Sequence, residues 1–300
     1  MATLLELSLQ GDVGTISDDS KLSSVRLMDP QQLYELWERQ PWSAHAIDLS
    51  QDRLDWEALS EIDREEVAWN LSSFFVGEER VATQFSGLVR AYESQGEEAF
   101  LTTQQVDEVR HAQHFNRFIE QVVGYAGSFD ARLERAREDL TDAFLVLFDE
   151  HLVDAQERLL ADPSDVEAKL DFIVIYHMLI EGTLALTGQN FITLAFERDG
   201  IFPGFLEGFR KISQDEHRHV AYGTWFLKEK CADPALARRV QDKLVELLPA
   251  TASVLLPPGI SLGDEYEVLG GPSAEVNQFA FTALSRRLKV IGIGLPAVTG

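Results

Sequence analysis

Two short runs constrain this chain more than anything else in it: Asp107-Glu108-Val109-Arg110-His111 and Asp215-Glu216-His217-Arg218-His219. Each contains Glu-x-x-His within a helical pattern. Residues three apart share one face of an α-helix, so each run points a carboxylate and an imidazole in one direction. Both pairs fall on apolar stripes. Phe100, Gln104, Glu108, His111, Phe115 and Phe118 share one face, and Phe209, Ile212, Glu216, His219 and Tyr222 another. Two further segments each carry a lone glutamate. Glu78 lies between Phe74 and Val81 on a third stripe, and Glu181 follows the nearly all-apolar run from Phe172 to Ile180. The order Glu, Glu-x-x-His, Glu, Glu-x-x-His is the ligand set of two metal ions held inside a four-helix bundle.

Energetics point the same way. Burying four carboxylates and two imidazoles without compensation costs several kcal/mol per charge. Two divalent cations balance the four carboxylates and make the six residues tolerable together. Oxygen-rich ligands with one imidazole per ion suit iron or manganese, whereas zinc favours fewer ligands and more thiolate or imidazole. Iron outranks manganese at a symmetric site, so these residues alone predict two irons.

Composition bounds the rest. With 300 residues, 45% of them hydrophobic, the chain can bury one large core. A formal net charge of −24 argues against nucleic acid and anionic membranes as partners. The single cysteine, Cys231, leaves no intramolecular disulfide and no thiolate cluster. The start of the chain lacks a basic region followed by an apolar run, and the run from Phe172 to Ile180 is interrupted by His177 and too short to span a bilayer. A soluble, cytoplasmic protein without a membrane span is expected.

The periodicity predicts an all-α chain with no strand. Residues 1–28 read as a flexible arm, and 29–300 as a single helical domain with its metal-binding core at about 60–230. Asp29 and Pro30 open a short helix, and Ile47 to Asp52 read as a turn. Longer helices are predicted over 62–95, 97–123, 129–160, 205–231, 234–255 and 274–290. Another, capped by Ser164, runs from there to Glu197. The spacing from lone Glu to His is similar in the two halves, which predicts two helix pairs about a pseudo-two-fold axis.

These runs, together with Ile47-Asp48-Leu49-Ser50-Gln51-Asp52-Arg53, Gly77-Glu78-Glu79 and Ile180-Glu181-Gly182-Thr183-Leu184, resemble the ribonucleotide reductase small-subunit superfamily, and within it the ligand-binding oxidases. The resemblance covers residues 30–230 and implies a ferritin-like four-helix bundle with additional flanking helices. A typical reductase subunit carries its radical tyrosine four residues after the first histidine ligand; here that position is Phe115. A reductase variant that stores its oxidising equivalent on the metals also has Phe there. A reductase further needs a redox tyrosine in a C-terminal tail, and residues 267–300 contain none. The oxidases carry a valine three residues after the first Glu ligand and a tyrosine five before the third, which here are Val81 and Tyr176. In that branch an ether bond joins the two on reaction with dioxygen.

The resemblance therefore implies an oxidoreductase: a dioxygen-activating oxidase with a manganese/iron or di-iron centre, catalysing two-electron C–H oxidation. Its metal ligands are Glu78, Glu108, His111, Glu181, Glu216 and His219. It also implies a long-chain fatty acid near the metals, a homodimer, and an electron donor that the sequence does not name. Asp215 orients a ligating histidine, Trp42 feeds an electron inward, and Phe115 and Gln189 line the ligand pocket. One departure stands out: Gln189-Asn190 occupies positions where relatives carry aromatic residues, which predicts a cavity that is more polar or differently shaped. The alternatives are a reductase small subunit of the tyrosyl-radical-free, metal-oxidant type and a ferritin-like iron-binding protein.

Overall fold

Local capping chemistry sets most helix boundaries in the computed structural model, which describes Leu22 and residues 25–294. The arm expected over residues 1–28 lies largely outside the described residues; Leu22 and Val25 are buried. Helix α1 (Pro30–Trp37) opens as expected. The Asp29 carboxylate accepts from the Gln32 backbone N–H, and the Asp29 N–H donates back to Gln32 Oε1. The expected turn at residues 47–52 is shorter than predicted. Asp48 Oδ1 accepts the Ser50 N–H at 2.9 Å, and α2 (Ser50–Ala58) starts there.

Helix α3 (Glu61–Gln84) was expected to continue to residue 95, but it stops and is followed by the offset α4 (Ser86–Arg90). The cause is Gly87, whose N–H donates to Gln156 Oε1 at 2.8 Å; a Cβ here would lie 2.2 Å from that oxygen. Helix α5 (Gln95–Phe118) continues through a π turn, Ile119–Val123, and ends at Gly124, whose φ of 85° suits glycine. The single helix expected over 129–160 is three: α6 (Phe129–Arg137), α7 (Asp142–Leu145) and α8 (Leu152–Ala161), the last two joined by π-helical Val146–His151. Thr141 restarts the chain by capping the Phe144 N–H.

Helix α9 (Val166–Asp199) is capped by Asp165 rather than Ser164. The Asp165 carboxylate accepts from Glu167 and Ala168 N–H, while the Ser164 hydroxyl donates to Asp162. Its middle, Val174–Ala185, is π-helical. Helix α10 (Pro203–Lys230) follows Phe202, which cannot cap it. Asp52 does so from α2, accepting Gly204 and Phe205 N–H at 2.8 and 2.6 Å. The chain closes with α11 (Pro234–Val254), an unexpected two-stranded hairpin of β1 (Glu267–Val268) and β2 (Gly271–Pro272), and α12 (Ser273–Ile291).

Helices α3, α5, α9 and α10 form the ferritin-like bundle, and the others flank it. By length and composition α9 is apolar enough to cross a membrane, but 89% of its apolar window is buried inside the bundle, so it is the central core helix.

Candidate metal centre

Each of the four bundle helices sends its predicted side chains to one place. Glu78 arrives from α3, Glu108 and His111 from α5, Glu181 from the π-helical part of α9, and Glu216 and His219 from α10. All six are at least 94% buried. Their ligand atoms fall into two sets, each within 4.8 Å: Glu78, Glu108, His111 and Glu216, and Glu108, Glu181, Glu216 and His219. Glu108 and Glu216 belong to both, which is the pattern of two ions bridged by two carboxylates.

The imidazoles show how the centre is aimed. His111 Nδ1 lies 3.3 Å from Glu78 Oε2 and 3.3 Å from Glu216 Oε1, and His219 Nδ1 lies 3.0 Å from Glu108 Oε1 and 3.1 Å from Glu181 Oε1. Each outer nitrogen meets an aspartate of the opposite run: His111 Nε2 is 3.2 Å from Asp215 Oδ2, and His219 Nε2 is 3.3 Å from Asp107 Oδ2. These contacts fix ring orientation and make Nε2 the protonated nitrogen, leaving Nδ1 to bind a cation. The aspartates are themselves held. Trp42 Nε1 donates to Asp215 at 2.7 Å, Trp37 Nε1 donates to Asp107 at 2.9 Å, and the wholly buried Arg218 reaches both acids.

The donors fit a metal pair. His111 Nδ1, Glu108 Oε2, Glu181 Oε2 and Glu216 Oε2 are buried without a hydrogen-bond partner, at the common centre of the cluster. Burial pushes the Glu78 carboxyl up to about 8, and Glu181 well above the usual carboxylate range. For His111 and His219 burial acts in the other direction, but the neighbouring carboxylates outweigh it and raise both imidazoles well above their ordinary value. Without cations this cluster needs protons to balance its charge.

Beside the carboxylates lies an apolar cavity of about 120 Å³. Glu78, Glu108, Glu181 and Glu216 form one end; Trp69, Phe74, Phe148, Leu184 and Phe191 are among its walls.

A family model of the ribonucleotide reductase small chain matches residues 22–254. The chain belongs to this family. Its fold is also that of R2-like ligand-binding oxidases. One point variant with anaerobically reconstituted Mn/Fe cofactor is 25% identical, with a TM-score of 0.73 over 90% of this chain and 94% of its own. A second such variant is 26% identical, with a TM-score of 0.73 over 86% and 93%. The enzyme from Sulfolobus acidocaldarius is 24% identical, with a TM-score of 0.72 over 87% and 89%, and shares the fold.

In this small-chain family member, Val81 lies on the cavity wall one turn beyond Glu78. Tyr176 is fully buried and its hydroxyl donates to Glu108 Oε1 at 2.5 Å. The π winding explains the approach: its hydrogen bonds run from i to i+5, so Tyr176 and Glu181 stack more closely than on an α-helix. The two residues expected in the pocket lie outside its lining. Phe74 stacks on Phe115 at 5.5 Å and occupies the wall in its place. Gln189 points to α10, where its Oε1 accepts from Ser213 at 2.8 Å, so it does not make the cavity polar. Asp107, Trp37 and Arg218 were not singled out from sequence; the shared Asp-Glu opening of both runs was the available signal for Asp107. The C-terminal segment, silent in sequence, contributes Val268 and Val276 to the cavity, and Arg287 Nη1 donates to the Gly182 carbonyl at 3.1 Å.

Proposed function

We propose that this chain is a dimetal-carboxylate oxidase that uses dioxygen to oxidise a C–H bond by two electrons, beginning with Val81 in its own core. The observation that carries this reading is the meeting of three features. A cluster of two ligand sets opens on an apolar cavity, Val81 lies on that cavity's wall, and the Tyr176 hydroxyl rests on the shared carboxylate Glu108. Glu78 and His111 would hold one ion, Glu181 and His219 the other, with Glu108 and Glu216 between them. A manganese/iron or di-iron pair bound there would supply the redox chemistry that couples dioxygen reduction to this oxidation.

The chain's own residues prepare the reacting groups. Formation of the ether removes the Val81 Cβ–H hydrogen and the Tyr176 phenolic hydrogen, creates one C–O bond and releases two electrons toward dioxygen. The hydrogen bond from the Tyr176 hydroxyl to Glu108 Oε1 holds the phenolic oxygen in place, and the two hydrogens leave as protons to the reduced dioxygen. Gln104 Nε2 donates to the Tyr176 oxygen at 3.1 Å and keeps that oxygen in place while the proton leaves. His177, held neutral by burial, meets the same Gln104 amide, its Nε2 3.2 Å from Gln104 Nε2 and 3.4 Å from Oε1. Asp215 orients His111, and the Trp42–Asp215–His111 contacts form a continuous path for an incoming electron. The cavity suits a molecule with a long apolar body and an anionic head at the metals, the chemistry of a fatty acid.

The test is a tryptic mass map of protein loaded with manganese and iron and exposed to air. A Val81–Tyr176 linked peptide, lighter by two hydrogens than its parts, is expected. Unlinked peptides from fully metallated, oxygen-exposed protein would refute the self-oxidation.

A further inference from the structure

We infer that the β1–β2 hairpin is a movable wall of the apolar cavity, and that an acyl chain longer than about six carbons seats only when Leu269 lets go of α3 and α9. The inference rests on the reading above of the cavity as the seat of an apolar chain with its anionic head at the metals. Volume sets the problem. An engineered cavity of about 150 Å³ takes one benzene molecule, and this cavity has about 120 Å³. It seats the first carbons of a fatty acid, and a longer body needs room that one wall must yield.

The walls differ in what holds them. Most of the lining comes from the bundle helices α3 and α9, which run from Glu78 to Trp69 and from Glu181 to Ile192 along the cavity. The hairpin crosses their far end, with only two residues in each strand. Val268 of β1 lines the cavity, and Gly271 of β2 lies against the wall residue Phe191, where a Cβ would come within 2.7 Å of the ring. The turn is pinned to the bundle from both sides. The Leu269 N–H donates to Glu66 Oε1 at 2.5 Å, and the Leu269 carbonyl accepts from Arg198 Nη1 at 3.2 Å. Glu66 lies on α3 one turn before Trp69, and about 18 Å of helix separates it from Glu78. The latch therefore sits at the end of the cavity away from the carboxylates.

Leu269 is held there against its own preference. The two turn residues, Leu269 and Gly270, have φ of 52° and 76°, the left-handed pair of a type I′ turn whose positions favour Asn and Gly. A leucine in that region persists only where its surroundings over-determine it, and such residues gather at ligand clamps and switches. Here the surroundings are Glu66, Arg198 and the burial of the leucine side chain. Arg198 is itself largely exposed and shared with Asp199, which makes it a yielding anchor. A chain that pushes Val268 outward breaks both contacts at once. Release lets Leu269 return to negative φ, and that relief offsets part of the lost latch. The hairpin thus reads chain length: short acids fit beneath it, and long ones open it.

The experiment titrates protein loaded with manganese and iron with hexanoic acid and with palmitic acid. Hydrogen–deuterium exchange at Leu269 is read by mass spectrometry with electron-transfer fragmentation. Palmitate should speed exchange of the Leu269 N–H several-fold, and hexanoate should leave it unchanged. Glu66→Ala, which removes one side of the latch, should tighten palmitate by about ten-fold, the order of the strain released, at unchanged hexanoate affinity. A merely structural role for Glu66 would move both acids alike. Palmitate bound with Leu269 exchange unchanged or slowed overturns the inference, as does an equal change for both acids in Glu66→Ala. Protein that takes hexanoate and refuses palmitate, in wild type and Glu66→Ala alike, also overturns it. Binding of neither acid overturns the acyl reading of the cavity together with the inference. The Val81–Tyr176 peptide in the same samples tests the oxidase reading separately.

Discussion

At the residue scale, the cluster divides its labour unequally. Glu108 and Glu216 belong to both ligand sets, whereas Glu78 and Glu181 belong to one each. Glu108→Ala is therefore expected to lose both metals, and Glu78→Ala or Glu181→Ala only one; elemental analysis after gel filtration separates these outcomes. Asp107 and Asp215 hold opposite imidazoles at 3.3 and 3.2 Å. Asp107→Asn should thus weaken metal affinity as much as Asp215→Asn, by about 10–100-fold in a competitive chelator titration. A neutral result for Asp107→Asn beside a large one for Asp215→Asn would break this symmetry. The convergence of the six clustered side chains was legible because each lies on an apolar stripe, and a charged residue on a buried face demands a partner. That each aspartate serves the histidine of the other run was not legible. It depends on how α5 and α10 cross, and periodicity carries no crossing angle.

At the scale of elements, the bundle is held in register by long-range contacts that local pattern does not reveal. Asp52 on α2 caps α10 through two backbone N–H groups, so Asp52→Ala leaves them buried and unsatisfied. A loss of about 1–3 kcal/mol is expected in urea unfolding. The π-helical stretch Val174–Ala185 is the other such feature. Hydrophobic periodicity marked this segment as a central helix but could not distinguish π from α winding, because it is apolar nearly all round. Arg287 from α12 satisfies a carbonyl of that stretch, at Gly182, beside Glu181. Arg287→Met should loosen metal retention at the Glu181 side, seen as faster loss of one ion to a chelator. The boundaries that sequence misplaced, at Gln84, Thr141 and Asp165, are ones where a side chain competes for backbone N–H groups.

For the whole molecule, protons and metals compete for the same centre. The Glu78 carboxyl is raised in the fold from 4.5 to about 8, chiefly by burial. A folded-state value above the unfolded one contributes stability that is full below the unfolded value and lost as pH rises through the folded value. His111 and His219, also raised, act with the same sign. The Tm of the metal-free chain should therefore fall between about pH 5 and about pH 8.5, and saturation with manganese and iron should flatten the decline. A metal-free Tm that climbs over this range would contradict the charge balance described for the cluster. The ferritin-like bundle and the position of its centre were open to reading from residues 60–230 alone. The cavity wall was not, because Val268 and Val276 reach it from a hairpin and helix with no chemical signature of their own. The most direct test of the central claim is anomalous diffraction at the manganese and iron edges from a crystal of the loaded, air-exposed protein. Two ions are predicted, one beside His111 and one beside His219, with Glu108 and Glu216 bridging them and continuous density from Val81 Cβ to the Tyr176 oxygen. A single ion, or ions bound outside these six residues, would contradict the account.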